Sequence, residues 1–154
     1  MPADDLTAKG RLFRDVLVEL FRLRAVMLES SERIAASAGL TTARWQVLGA
    51  VQARPQTVSE VARALGLTRQ AVQETADAME RDGFVAFADN PHHRRARLLA
   101  ATARARRALA ILQPRQEQFA NLMGSPHTLA ALRTTVEVLR GSREAVEAGH
   151  GDAK

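Results

Sequence analysis

The stretch from residue 57 to residue 83 constrains the fold of this chain more than any other part of its sequence. Thr57 and Glu60 have the S/T-x-x-E spacing of an N-terminal capping box, which predicts a short helix directly after Thr57. Gly66 then permits the positive φ of a tight turn, and Thr68 is suited to cap a following helix that Gly83 ends. The spacing therefore predicts two short helices joined by a tight turn.

Apolar side chains occur in both short helices at the steps that place them on one inner face. Ala62 is small at the point where two helices must approach each other, as in a helix-turn-helix unit. The predicted inner faces are formed by Val61, Leu65, Leu67, Val72 and Met79.

The second helix of a helix-turn-helix unit presents its N-terminal side chains to the edges of DNA bases. Here those side chains are Thr68, Arg69, Gln70 and Gln73. Arginine and glutamine suit this role because they form paired hydrogen bonds to guanine and adenine, respectively. An ordinary helical hairpin with a solvated polar face has the same pattern, so this segment alone leaves both interpretations open.

The periodicity changes from helical to extended between Phe84 and Ala100. Asp89, Asn90 and Pro91 supply turn chemistry, so this region predicts a two-stranded hairpin with a basic tip. The tip and the start of the next helix carry six arginines in fourteen positions: Arg94, Arg95, Arg97, Arg104, Arg106 and Arg107. Arginines fit a narrow minor groove, where the negative potential is enhanced, although a run of like charges also occurs simply as a solvated surface.

Two outer helical regions flank this centre. Helices are predicted from Thr7 to about Ala38 and from Thr102 onward, with a kink or break at Pro114 and a new start at Ser125. Both regions carry an apolar stripe, which the same stripe on a second copy would cover in a homodimer.

The predicted fold class is mainly α with a small β-hairpin wing. The expected segments are an N-terminal dimerisation helix (1–40), a winged helix-turn-helix DNA-binding lobe (41–101), C-terminal dimerisation helices (102–148) and a tail (149–154).

Charge and composition favour a polyanionic partner. The net charge is +5, and only two of the 22 basic residues, Lys9 and Lys154, are lysine. The chain has no cysteine, which excludes disulfides, thiolate zinc sites and thiol-based redox sensing. It lacks both an apolar stretch of about 20 residues and a signal peptide, so we expect a cytoplasmic protein without membrane contact.

From Leu40 to Thr102 the sequence resembles the MarR family of winged-helix regulators, and the similarity extends over essentially the whole chain. The residues that carry it are LTTARWQVL, TVSEVARALGLTRQAV and AMERDGFVAFADNPHHRRARLL, followed by Thr102. The resemblance implies an obligate dimer, a pseudo-palindromic operator and a small-molecule pocket between the dimer helices and the winged lobe. It also implies that Arg95 enters the minor groove and that Thr68, Gln70 and Gln73 face the major groove.

The sequence departs from the family pattern at two positions. His93 stands two residues before the minor-groove arginine, where the family usually has an aspartate that holds the guanidinium. An imidazole cannot replace a carboxylate clamp, so we expect either a looser wing or Asp89 in the role of that aspartate. Glu74 stands where members often carry a basic residue, so we expect it to repel DNA unless it accepts from cytosine N4 or pairs with Arg69 or Arg81.

The resemblance also places Arg44 and Trp45 near an effector cavity, facing Phe13, Arg14 and Leu17 of the first helix. An aromatic wall with one guanidinium suits an aromatic carboxylate. A single tryptophan on an apolar helix face is more often a core residue, so both roles for Trp45 stay open.

The chain lacks the patterns of other function classes. Its four histidines do not have convergent metal-ligand spacing, and it contains no phosphate loop, nucleophile elbow or H-E-x-x-H motif. No enzyme activity, metal or cofactor is therefore expected. We expect a sequence-specific, double-stranded-DNA-binding transcription regulator, a repressor released by a small aromatic effector. The alternative is a winged-helix protein-interaction module whose arginines bind an acidic partner.

Overall fold

The computed structural model describes residues 6–93 and 95–151, with side chains described to residue 149. Within this part of the chain the helices are α1 (Ala8–Ala36), α2 (Thr42–Val51), α3 (Val58–Leu65), α4 (Arg69–Arg81), α5 (Ala103–Gly124) and α6 (Leu129–Gly151). Three short strands, β1 (Gln56–Thr57), β2 (Val85–Ala88) and β3 (Leu98–Ala101), form an antiparallel sheet. The predicted fold class, mainly α with a small β-hairpin, is confirmed.

The chain divides into two compact units, and the division falls within α5. The first unit reaches to Gln113 and holds α1 to α4, the sheet and the first half of α5. The second begins at Pro114 and holds the rest of α5 together with α6. None of the helices in the described part of the chain is long and apolar enough to cross a membrane.

Threonine side chains begin the first four helices. Thr7, Thr41, Thr57 and Thr68 each accept a hydrogen bond from the backbone N–H three residues further on. Each bond satisfies a donor that the first helical turn leaves unpaired. Gly66 has a φ of 65°, in the left-handed region, which gives the predicted tight turn between α3 and α4.

The capping box predicted at the start of α3 is present. Glu60 donates its backbone N–H to the Thr57 hydroxyl, and its carboxylate accepts the backbone N–H of Thr57 at 2.7 Å. This bond to the backbone is the main reason that the pKa of Glu60 lies below its ordinary value. The capping box formed by Thr57 and Glu60 therefore sets the start of α3.

The sheet has the order β1-β3-β2, so β3 is its central strand. Leu99 of β3 lies opposite Gln56 of β1 and Phe87 of β2. The hairpin of β2 and β3 was predicted, but β1 was missed because two residues are too few to show an alternating pattern. The side chain of Leu99 is fully buried, so the central strand closes one side of the core.

The core of the first unit is almost entirely aliphatic, and only 4% of the chain is aromatic. Phe84 is the one buried aromatic residue among the described side chains. The end of α1 contributes Ala35, and the first half of α5 contributes Ala105, Ala108 and Leu112. The core therefore extends beyond the segment 41–101 that we expected to form the lobe.

Three local predictions were wrong. Leu67 was expected on an inner face, but it follows the tight turn and is 43% exposed. The split predicted as one outcome at Pro114 does not occur, since α5 is a single helix to Gly124. The last helix begins at Leu129 and not at Ser125, because the Thr128 hydroxyl accepts the backbone N–H of Ala131, which the first helical turn leaves unpaired. Because α6 continues to Gly151, the expected tail begins within a helix, and residues 152–154 lie outside the described part.

Candidate nucleic-acid interface

The N-terminal end of α4 presents polar side chains to solvent. Its buried face consists of Val72, Ala76 and Met79, which pack into the core. Residues along an α-helix are separated by about 100°, so Gln70 projects on the side opposite this buried face. Thr68, Arg69 and Gln70 are exposed, and Gln73 is half-buried.

Each of the two glutamines of α4 is bound to a carboxylate one turn further along the helix. Nε2 of Gln70 donates to Oε1 of Glu74 at 3.0 Å. Nε2 of Gln73 donates to Oδ1 of Asp77 at 2.7 Å. Neither pair was predicted, although glutamine and a carboxylate at i, i+4 spacing are a known pair on helices. Glu74 was expected to repel DNA unless it accepted from cytosine N4 or paired with Arg69 or Arg81.

Phe87 of β2 makes contacts both with α4 and within the wing, which is the hairpin of β2 and β3. Its backbone N–H makes a long hydrogen bond, 3.4 Å, to Oε1 of Glu80. Its carbonyl accepts from Nη2 of Arg97 at 2.7 Å, and the Arg97 guanidinium lies 5.2 Å from the centre of its ring. Arg97 was predicted to bind DNA, but its guanidinium here has a partner on the adjacent strand.

Arg95 is placed differently from Arg97. Its side chain is exposed, and no carboxylate of the described residues lies within 4.0 Å of it. Asp89 therefore does not hold it as a substitute clamp in this structure. The turn before it is closed by a hydrogen bond of 3.2 Å from His93 N to Asn90 O. The prediction for Arg94 lies outside the described residues.

A cleft of about 220 Å³ separates α4 from the wing. Arg69, Gln73, Asp77 and Glu80 line it from α4, and the start of α3 also contributes. Phe87, Arg95, Ala96 and Arg97 line it from the wing. The fold thus brings four of the predicted DNA-binding residues to one cleft: Arg69, Gln73, Arg95 and Arg97.

Positive charge is concentrated on the wing and α5 and not on α4. α4 carries two arginines and three carboxylates, which gives it one net negative charge. The guanidinium of Arg104 donates to Asp82 O at 2.8 Å and lies 4.5 Å from the centre of the Phe84 ring. Arg106 donates to Ala101 O at 3.0 Å. The arginine cluster therefore combines a structural role with its electrostatic one.

The candidate effector residues lie on α1 and α2. Nη2 of Arg44 lies 2.7 Å from Oδ2 of Asp82, the residue that ends α4. Trp45 is half-buried and packs against the core. The remaining candidates are the half-buried Phe13 and the exposed Arg14 and Leu17 of α1. None of these five residues lines the cleft beside the wing. Among the described residues, no group of His, Asp and Glu side chains could hold a metal ion.

Comparison of the sequence with known proteins identifies relatives of this chain. The sequence model of the MarR family matches residues 38–96. The protein Rv2011c of Mycobacterium tuberculosis is 37% identical over 125 residues, which cover 81% of this chain and 87% of the relative. The transcriptional activatory protein BadR of Rhodopseudomonas palustris is 33% identical over 113 residues, which cover 70% of this chain and 65% of BadR.

Solved structures share the fold. A MarR family transcriptional regulator of Streptomyces coelicolor in complex with DNA superposes with a TM-score of 0.78 at 18% identity, covering 92% of this chain and 93% of that one. CouR of Rhodococcus jostii, bound to p-coumaroyl-CoA, superposes with a TM-score of 0.75 at 21% identity, covering 82% and 90%. These structures have a common architecture, in which a hairpin follows a helix-turn-helix.

Proposed function

Because this chain belongs to the MarR family, we propose that it is a transcription regulator that binds double-stranded DNA in a sequence-specific manner as a homodimer. In this proposal the N-terminal end of α4 enters the major groove, with Thr68, Arg69, Gln70 and Gln73 toward the bases. The wing places Arg95 in the neighbouring minor groove. Arg94 belongs to the same proposal on sequence grounds alone.

One observation carries this proposal: Gln73 and Arg95 lie on opposite sides of one cleft. A helix that contacts bases, here α4 and called the reading helix below, and a basic hairpin that shares a cleft with it can contact adjacent grooves of a single duplex. Arg95 has no ion pair with the described residues, so its guanidinium is free for a phosphate-rich groove. The likeness to the DNA-bound regulator of Streptomyces coelicolor supports the same arrangement.

Exposed apolar side chains support the homodimer. In the first unit, α1 exposes Leu12, Leu17, Val18, Phe21, Leu23, Val26, Met27 and Leu28. In the second unit, the exposed apolar residues include Leu122, Met123, Leu129, Leu132, Val136 and Val138. So much apolar surface in a chain of this size is typical of a protein interface. Two-fold pairing would cover it and set two α4 helices about one helical turn of DNA apart.

DNA binding is tested with the purified protein and the DNA upstream of its own gene. We expect a footprint of two half-sites and an affinity that falls steeply with salt, because cations are released from the phosphates. Gln73→Ala should reduce the discrimination between sequences. Arg95→Ala should weaken binding and largely preserve the preference for major-groove bases. Binding without sequence preference would contradict the proposal and favour an acidic protein partner.

We further propose that the protein is a repressor that a small aromatic ligand, in particular a carboxylate, releases from DNA. The relative CouR binds an aromatic acyl thioester, which supports an aromatic ligand class. Arg44 and Trp45 of α2, with Phe13, Arg14 and Leu17 of α1, are the proposed contacts. Because Arg44 is already paired with Asp82, a ligand carboxylate would compete with the residue that ends the reading helix.

Ligand binding near Trp45 is tested by fluorescence. Trp45 is the single tryptophan of a chain without tyrosine, so the emission reports on this residue. Benzoate and its hydroxylated derivatives are titrated into the protein, and the same ligands are added to the protein–DNA complex. We expect a change in Trp45 emission together with release of DNA, and loss of both effects in Arg44→Ala. DNA release with an unchanged Trp45 signal would place the ligand elsewhere. The sign of regulation follows from transcription of the bound promoter in vitro.

A further inference from the structure

We infer that Asp77 is a positioning residue that fixes the orientation of the Gln73 amide and thereby helps to determine which base pair the protein prefers. The inference rests on the proposed DNA-binding function. It concerns a carboxylate on the reading helix, a residue type that would otherwise be expected to repel the phosphates.

The amide group of glutamine is nearly symmetric in shape but not in chemistry. Its oxygen accepts hydrogen bonds and its nitrogen donates two. A carboxylate only accepts, so the amide can turn only its nitrogen toward Asp77. The bond from Nε2 of Gln73 to Oδ1 of Asp77 is short, 2.7 Å, as is typical of a hydrogen bond to a charged group. Asp77 therefore directs the Gln73 oxygen away from itself.

This orientation matters for base recognition. A paired contact with adenine needs the amide oxygen to accept from N6 and one N–H to donate to N7. With one N–H bound to Asp77, the amide oxygen and the second N–H remain for the base, and the positions of the acceptor and the donor cannot be exchanged. Without Asp77 the amide can rotate by half a turn, and the side chain must be ordered again each time DNA binds. The tether thus pre-organises the contact.

The surroundings of the pair favour this role. Gln73 and Asp77 are both half-buried and line the cleft beside the wing. Gln70 and Glu74 form a similar pair at 3.0 Å, but both of these side chains are exposed, and exposed pairs of this kind are weak. Asp77 and Glu74 carry the same charge on the same helix. Substitution of Glu74 is therefore a matched control for the loss of a negative charge.

The experiment measures base preference. Full-length wild-type protein selects its preferred sequences from a pool of random duplexes, and Gln73→Ala identifies the positions that depend on Gln73. At those positions we expect Asp77→Ala to reduce the preference by roughly two- to tenfold per half-site, because one more side chain must be ordered on binding. Glu74→Ala should keep the preference. Asp77→Asn should keep only part of it, because an asparagine amide can accept from Gln73 or donate to it and so no longer enforces one orientation.

The results separate this inference from the proposed function. A wild type without any sequence preference would overturn the proposed function and this inference with it. A wild type with a preference that Asp77→Ala leaves unchanged would overturn this inference alone. The same conclusion follows if Asp77→Ala and Glu74→Ala reduce the preference equally, or if Asp77→Ala has its full effect when Gln73 is already alanine. Circular dichroism of each variant establishes that it is folded before DNA is added.

Discussion

Substitution of Arg97 tests whether this residue supports the wing or contacts DNA. Arg97→Ala removes a hydrogen bond to Phe87 O and the contact of the guanidinium with the Phe87 ring. Such a hydrogen bond contributes about 0.5–1.5 kcal/mol, and an exposed cation–π contact about 0.5–1 kcal/mol. Together the two interactions stabilise the ordered wing by about 1–2.5 kcal/mol. The affinity for DNA should therefore fall by about fivefold to at most about seventyfold per wing.

The dependence of DNA binding on salt distinguishes the two roles. Each phosphate contact that is lost makes the slope of log K against log salt shallower by about 0.9. In a dimer, Arg95→Ala should therefore change this slope by about 1.8, whereas Arg97→Ala should change the affinity and leave the slope nearly constant. Hydrogen exchange of residues 85–101 in the free protein should become faster in Arg97→Ala, because the wing opens more often.

Arg97→Lys is the control for charge, since it keeps a cation but loses the planar donor that matches Phe87. If Arg97 supports the wing, the lysine variant should lose most of the same affinity. The reasoning is refuted if Arg97→Ala flattens the salt dependence as much as Arg95→Ala and the lysine variant restores it. Arg97 would then be a phosphate contact.

The remaining predictions concern stability. Gly66→Ala should lower the free energy of unfolding by about 1–2 kcal/mol, because Gly66 has a left-handed φ of 65°. Gly49→Ala should raise the free energy of unfolding by up to about 1 kcal/mol, because alanine has the higher helix propensity and Gly49 lies within α2. Urea titrations measure both effects. The pKa of Glu60 is lowered in the folded protein, so the Glu60 carboxylate stabilises the fold fully at neutral pH. The difference in stability between wild type and Glu60→Gln should therefore shrink below pH 4.5 and vanish below the folded pKa, as measured by thermal melts from pH 7 downward. A difference that stays constant with pH would contradict this. A double-mutant cycle of Arg44→Ala and Asp82→Ala should give a coupling of less than about 1 kcal/mol, since both side chains are partly exposed.

The residues that could be predicted from the sequence are those whose structure depends on near neighbours. Thr57 and Glu60 are three residues apart, and Gly66 adopts its turn because it has no Cβ. Predictions of this kind were correct for α3 and α4. They were wrong at Ser125, where a second possible cap, Thr128, lies three residues later and begins the helix instead.

The candidate interface was predictable only in part. The polar end of α4 follows from helical periodicity, and the pair of Gln73 with Asp77 could have been found from its i, i+4 spacing. By contrast, the partner of Arg97 depends on the register of the hairpin, in which Phe87 lies opposite Leu99. One residue of slip would turn every side chain of that strand to the other face, and no local pattern fixes it that closely.

The amino-acid sequence by itself determined where the helices of the first unit start, where the chain turns and which polar side chains lie at the reading end of α4. Each of these features is set by interactions within about one helical turn. Only the tertiary structure decided that β1 joins the sheet, that Arg44 pairs with Asp82, and that Gln73 and Arg95 share a cleft. These contacts join residues far apart in the chain, and the packing of the common core brings them together.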